Sequence, residues 1–200
     1  IPRARHIRLN KHQTIPVDRI ETRLGYPCFV KANRSGSSFG VYKVSNASQL
    51  TEAVNAVFDM NDELIIEEAL LGEEVTVGVI RINKEAVVLP MTLIKTGHDF
   101  FNYEAKYQGE SEELTPAPIE ESLRKLVSEY ALRIYTELNF NGATRSEFIL
   151  KEGEAYLLEV NTTPGLTEQS ILPQQAAAAG ISMSQLFELL IIDALNRDTR

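Results

Sequence analysis

Two strand-like runs, ATRSEFIL (143–150) and EAYLLEV (154–160), meet across a turn around Gly153. The second run should continue apolar through Leu157, Leu158 and Val160, yet it carries Glu159 and ends in Asn161, just before a Pro164-Gly165 turn. Successive strand residues point to opposite faces, so Leu157, Glu159 and Asn161 share one face, as do Arg145, Glu147 and Ile149 on the first run. An odd-length turn centred on Gly153 sets Glu147 opposite Glu159. Like charges facing each other across a sheet are destabilising. A hard cation between them reverses the sign. Two carboxylates and an amide oxygen suit Mg²⁺, which keeps its other positions for water and phosphate oxygens. Taken singly, Glu147 reads as an ordinary solvent-facing charge; taken together, Glu147, Glu159 and Asn161 form a candidate metal site.

Elsewhere strands and helices mix without a regular βαβ alternation, which gives an α+β fold. YPCFVKAN (26–33) reads as a buried strand, followed by the glycine-serine loop RSGSSFG (34–40) and a second strand, VYKVS. Asn46 or Ser48 caps a helix with Leu50, Ala53, Val54, Val57 and Phe58 at helical spacing. ELIIEEAL (63–70) is a strand leading into a polar elbow at Gly72, and VTVGVI and AVVLPMTLI make a hairpin across RINKE. Residues 95–118 form a long polar connection, a candidate functional loop expected to be disordered without its ligand. Leu123, Leu126, Val127, Tyr130, Ala131 and Ile134 define an amphipathic helix. Pro173 starts a helix that Gly180 stops. Ser182 or Ser184 caps the last helix, with Leu186, Phe187, Leu190 and Ile191 facing inward. A boundary near 67–72 divides a small N-terminal lobe, 1–67, from a larger C-terminal lobe, 68–200.

A chain of 200 residues with 44% hydrophobic content can bury the core of one large domain or two small ones. Its net charge of −8 argues against nucleic acid as a partner, while leaving room for a local basic site that holds a small anion. The single Cys28, inside an apolar run, reads as a small buried hydrophobe and excludes a disulfide framework. No apolar run approaches the length of a membrane span and no signal-peptide pattern opens the chain. These features describe a soluble protein of a reducing, cytoplasmic compartment with no membrane partner. The opening, IPRARHIRLN, lacks Met and reads as the interior of a longer chain.

Three further stretches carry chemistry. In KANRSGSSFG, Gly36 and Gly40 let backbone N–H groups converge on an anion, Ser37 and Ser38 add hydroxyls, and Lys31 brings a positive charge. No Gly-Lys-Ser/Thr opens a helix there, so it is not a Walker loop, and by itself it reads as a plain hairpin loop. IIEEALLGEEVTV offers carboxylates able to accept an adenine amino proton and to bind ribose hydroxyls; alone, it reads as a solvated acidic turn. YEAKYQGE (103–110) sets Lys106 and Tyr107 inside the long connection, where an ordinary exposed lysine is the plain alternative.

The order of these pieces is more specific than any one of them. Strand-Lys, Ser-Gly-Ser-Ser loop, acidic hinge, EAKY, Arg-x-acid and LLEVNTTPGLTEQS together resemble the ATP-grasp superfamily, and within it the D-alanine–D-alanine ligases. The resemblance implies two α+β lobes with antiparallel sheets enclosing a nucleotide cleft. It covers the chain from about Ile1 to its end, with no counterpart for the family's N-terminal domain or for part of the central lobe. That missing domain becomes an implied partner, the full-length protein an implied homodimer, and residues 1–200 alone an implied inactive piece.

Carried over by position, Lys31 and Lys106 would contact ATP phosphates, Glu67 and the backbone of Leu70 would read adenine, and Glu74 would bind ribose. Ser37 would sit in the loop over the reaction centre, in a relay with Tyr107. Arg145 and the N–H of Gly165 would bind the developing oxyanion. Ser170 and the N–H of Ile171 would take the carboxylate of the second D-alanine. Glu147, Glu159 and Asn161 would hold Mg²⁺ or Mn²⁺. The family usually has Asp where Glu147 stands, and larger residues in the hinge where this chain has Glu68-Ala69. The implied reaction forms D-alanyl-D-alanine through an acyl phosphate, for peptidoglycan precursors. The alternatives are a D-alanine–D-lactate or D-alanine–D-serine ligase and a non-catalytic ATP-binding module.

Overall fold

The computed structural model describes residues 1–33, 40–96 and 111–196. They form two compact units that divide at Leu71/Gly72, with Ile1–Pro2 belonging to the second and Thr96 and Ser111 to the first.

The first unit is a four-stranded antiparallel sheet, in the order β1 (His6–Asn10), β4 (Glu63–Glu68), β2 (Cys28–Ala32), β3 (Tyr42–Val44). Period-two alternation turns Ile7, Leu9, Cys28, Val30, Leu64 and Ile66 to one face. Helix α1 (Val17–Arg23) contributes Ile20 to that core, and α2 (Ala47–Met60) contributes Leu50, Ala53, Val54, Val57 and Phe58, the five positions its spacing singles out. Asn46 caps α2 by accepting a hydrogen bond from the Gln49 N–H at 3.0 Å. Neither β1 nor α1 is anticipated from the sequence. Cys28 is buried, and burial pushes its thiol up to about 11.

The second unit is a six-stranded sheet. Its order is β10 (Glu154–Asn161), β9 (Thr144–Lys151), β5 (Glu73–Ile82), β7 (Thr92–Thr96), β8 (Ser111–Leu114), with β6 (Glu85–Val88) paired beside β7 on the same edge of β5. Helix α3 (Glu121–Glu137) covers one face, packing Val127, Ala131, Ile134 and Tyr135 on Val75, Val77, Val79, Phe148 and Leu150. Helices α4 (Ile171–Ala178) and α5 (Met183–Leu195) cover part of the other face through Leu172, Ala176 and Leu186 on Ile80 and Leu89. Gly72, at the elbow, is obligatory, because a Cβ there would run into the backbone carbonyl of Leu150.

Several expectations are corrected. AVVLPMTLI is two strands, because Pro90 has no N–H to offer a ladder and interrupts it. The expected connection 95–118 contains β8, so it is not wholly irregular; residues 97–110 lie outside the described residues. Helix α4 begins at Ile171, two residues ahead of Pro173, since proline is tolerated throughout a first turn whose N–H groups have no intrahelical partner. In α5, Leu186 is buried and Leu190 packs inward. Phe187 and Ile191 are 41% and 57% exposed, because a helix apolar on most sides leaves its inward face to be chosen by its neighbours.

Candidate active site

The site face of the second sheet is set by how the β9–β10 hairpin closes. The turn is not odd-length: Glu152 and Gly153, with φ of 52° and 79°, form a two-residue connection that pairs Lys151 with Glu154. Continued without interruption, that register would bring Leu158 opposite Glu147. A β-bulge intervenes, and the pairing passes from Leu157↔Phe148 directly to Glu159↔Glu147, Val160↔Ser146 and Asn161↔Arg145. Leu157 therefore lies on the α3 face with Phe148, opposite to the face expected of it, while Glu159 and Asn161 join Glu147 and Arg145. From the other side, β5 sets Thr76 against Glu147 and Glu74 against Ile149, so Glu74 and Thr76 share the same face.

This face is polar, and it is buried at Glu147 and Thr76 while Glu74, Arg145, Glu159 and Asn161 are half-buried. Glu147 is 2% exposed, and its Oε1 accepts a hydrogen bond from Arg145 Nη2 at 2.6 Å. Asn161 Oδ1 accepts from the Thr163 N–H at 2.9 Å, which turns the chain out of β10. Beside them, Thr76 is 1% exposed, and among the described residues its Oγ1 has no hydrogen-bond partner, nor has Arg145 Nε. Such buried orphans are costly unless something else completes them. No group of three or more His, Cys, Asp and Glu side chains stands ready for a metal among the described residues, so any ion here would rely on two carboxylates and an amide. That all-oxygen set, with orphaned polar atoms alongside, fits a hard divalent ion that keeps several waters.

Downstream, the Pro164-Gly165 turn folds back on the start of α4. A Cβ on Gly165 would stand 2.7 Å from Ser170 Oγ, so a larger residue there would displace the Ser170 hydroxyl. Ser170 is the N-cap of α4, but its hydroxyl serves the loop instead. Its Oγ accepts from the Thr167 N–H at 3.2 Å and lies 2.8 Å from Thr167 Oγ1, with no side-chain cap bond to the helix. The first N–H groups of α4, beginning with that of Ile171, thus form an end suited to a carboxylate.

In the first unit, Lys31 on β2 and Glu67 on β4 are 2.7 Å apart, Nζ to Oε2, and Leu70 follows the end of β4. Ser37, Lys106 and Tyr107 lie outside the described residues. One residue escaped the sequence reading: Glu113 of β8. Burial pushes its carboxyl above the ordinary carboxylate range, while the charge of Arg145 and a hydrogen bond with Gln174 draw it back. Its strand falls inside the supposed polar loop, so no periodic signal marks it.

Residues 2–192 match the family described as D-Ala D-Ala ligase C-terminus. The chain belongs to that family. The D-alanine–D-alanine ligase of Christiangramia forsetii is 50% identical over 189 residues, 94% of this chain and 58% of the relative. That of Flavobacterium johnsoniae is 50% identical over 179 residues, 90% of this chain and 55% of the relative. The chain thus spans less than two thirds of the length of the curated relatives it matches. Among solved structures, the Bacillus anthracis D-alanine–D-alanine ligase complexed with ATP superposes with a TM-score of 0.82 at 30% identity, over 98% of this chain and 61% of that one. VanG D-Ala:D-Ser ligase from Enterococcus faecalis gives 0.83 at 33% identity, over 96% and 56%. The α+β architecture is that of the ATP-grasp fold of these ligases. No single helix among the described residues is long and apolar enough to cross a membrane.

Proposed function

We propose that the full-length protein joins two D-alanines at the expense of ATP, and that this part of the D-Ala D-Ala ligase family chain carries the nucleotide, metal and acceptor sites. The observation that carries the reading is the register Glu147↔Glu159 and Arg145↔Asn161, four polar side chains on one face with Glu147 buried. In the first step a carboxylate oxygen of one D-alanine attacks the γ-phosphorus of ATP. The bond to the bridging oxygen breaks, and ADP and an acyl phosphate result. In the second step the amine of the other D-alanine attacks the acyl carbon, passes through a tetrahedral oxyanion, loses a proton and expels phosphate.

The residues divide this work. Glu147, Glu159 and Asn161 would hold Mg²⁺ or Mn²⁺, which when bound spreads the charge of the transferring phosphoryl group. Lys31 and Lys106 bind phosphates, Glu67 and the backbone of Leu70 take adenine, and Glu74 takes ribose. Arg145 and the Gly165 N–H donate to the oxyanion, and Ser170 with the Ile171 N–H holds the acceptor carboxylate. Ser37 and Tyr107 act as a hydrogen-bond relay in the reaction, and exclusion of water protects the acyl phosphate. The family's N-terminal domain, a homodimer and a cytoplasmic setting complete the proposal. Residues 1–200 by themselves bind nucleotide without turnover.

The test uses the full-length protein with ATP, Mg²⁺ and D-alanine. Phosphate release that depends on D-alanine and matches D-alanyl-D-alanine by mass is expected; release indifferent to D-alanine overturns the reading. Likeness to a D-Ala:D-Ser ligase supports a second reading, in which D-serine, or D-lactate, is the acceptor. Competing acceptors in one reaction, with products weighed, separate the two.

A further inference from the structure

Strand β5 has a defect in its hydrogen bonding, and one side chain repairs it. Val79 pairs with Val88 on β6, whereas Thr76 pairs with Thr92 on β7, so the pairing slips by one residue around Pro90. At the slip, the Gly78 carbonyl still accepts from the Leu89 N–H at 2.9 Å. The Gly78 N–H instead donates to Gln175 Oε1 at 2.8 Å. Gln175 Nε2 donates to the Thr76 carbonyl at 2.9 Å and to Thr92 Oγ1 at 3.0 Å. Gln175 is fully buried, and its amide occupies the place where a neighbouring strand would have put a peptide group. Gly78 is cut to fit, since a Cβ would lie 2.5 Å from Leu172 Cδ1 and 2.7 Å from Gln175 Oε1.

The two ends of this bridge matter. Gln175 lies four residues after Ile171 on one face of α4, so the bridge holds the helix whose first residue adjoins Ser170. Thr76, at the other end, is the cross-strand neighbour of Glu147. An apolar side chain at 175 would leave the Gly78 N–H and the Thr76 carbonyl unsatisfied in a dry interior, which favours a shift of the helix that lets water in.

We propose that Gln175 is a positioning residue for the acceptor amino acid: by bridging Thr76, Gly78 and Thr92 it sets the distance between the start of α4 and the strand opposite Glu147. The inference rests on the functional reading above, in which Ser170 and the Ile171 N–H hold the acceptor carboxylate. The test uses the full-length protein and follows KM for the acceptor D-alanine and for ATP separately. Gln175→Met fills the space without hydrogen bonds and is expected to raise the acceptor KM about tenfold while leaving the ATP KM within about twofold. Gln175→Asn, which keeps a buried amide too short to span both backbone groups, gives the same split if the methionine variant does not fold. Thr92→Val removes one of the three Gln175 hydrogen bonds, together with the 2.6 Å bond between Thr92 Oγ1 and Thr115 Oγ1, and is expected to raise the acceptor KM less than Gln175→Met does. If the unaltered protein shows no turnover with D-alanine, the functional reading falls. If it turns over and a folded Gln175 variant keeps its acceptor KM, or raises both constants in parallel, the reading stands and the role of Gln175 falls.

Discussion

The two faces of the six-stranded sheet are made by the same strands and built to opposite specifications. Toward α3, Val75, Val77, Val79, Phe148, Leu150 and Leu157 present aliphatic and aromatic surface, with Thr144 and Ser146 as the small polar exceptions. Toward the other side, the same strands present Glu74, Thr76, Arg145, Glu147, Glu159 and Asn161, with Ile80 and Ile149 as the buried apolar exceptions. Burial of the first set is favourable in proportion to the area taken from water. Burial of Glu147 and Thr76 is unfavourable unless a partner completes them. The α3 face holds the sheet together and thereby offsets the desolvation of a face organised for charge.

Substitutions on the two faces should have opposite effects on turnover and stability. Glu159→Gln in the full-length protein is expected to lower kcat by roughly 10²–10³, the scale of losing one charge-stabilising group. Its melting temperature without nucleotide should hold or rise, because one of two facing carboxylates is gone. Retained turnover with a lowered melting temperature would erase the distinction between the faces. Phe148→Ala should do the reverse: a loss of about 3–5 kcal/mol in denaturant unfolding, with KM for ATP unchanged in the protein that remains folded.

The bulge can be tested by deletion. Removing Leu158 restores a regular ladder and leaves Glu159 opposite Glu147, so turnover should fall by no more than about tenfold. Removing Val160 turns Asn161 onto the α3 face and should cost turnover and stability together. Equal losses from the two deletions would refute the register argument. The smallest effect concerns Cys28. Its folded pKa, raised by burial to about 11, lies above that of an exposed thiol, so its stabilising contribution is complete at neutral pH. That contribution is lost as pH rises from the ordinary thiol value through about 11. A thiol reagent at pH 8 should label Cys28 only at the rate of unfolding, and fast labelling would contradict the burial.

Legibility followed the strength of local signals. The α2 and α3 stripes, the Asn46 and Ser182 caps and the Gly180 stop are readable because each depends on residues within a few positions of one another. Strand β1 escaped because its alternation of Ile7 and Leu9 is brief and flanked by charges, and it becomes a strand only by pairing with β4. Strand β8 escaped because SEEL has almost no apolar content and borrows its place from the sheet edge. Glu147 and Glu159 face each other as their spacing suggests, but through a different turn: an even turn and a bulge produce the opposition that an odd turn would produce.

From residue order alone come the α+β class, the oxygen-rich strand ends and the likeness to the ligases, since composition, spacing and motif order are properties of the chain itself. Only the folded chain decides which face each carboxylate takes, that among the described residues Thr76 Oγ1 and Arg145 Nε have no hydrogen-bond partner, and that Gln175 completes a ladder some hundred positions away. The physical reason is that register depends on where an extra residue can be accommodated. The satisfaction of a buried polar group, in turn, depends on atoms that sequence distance does not bring near.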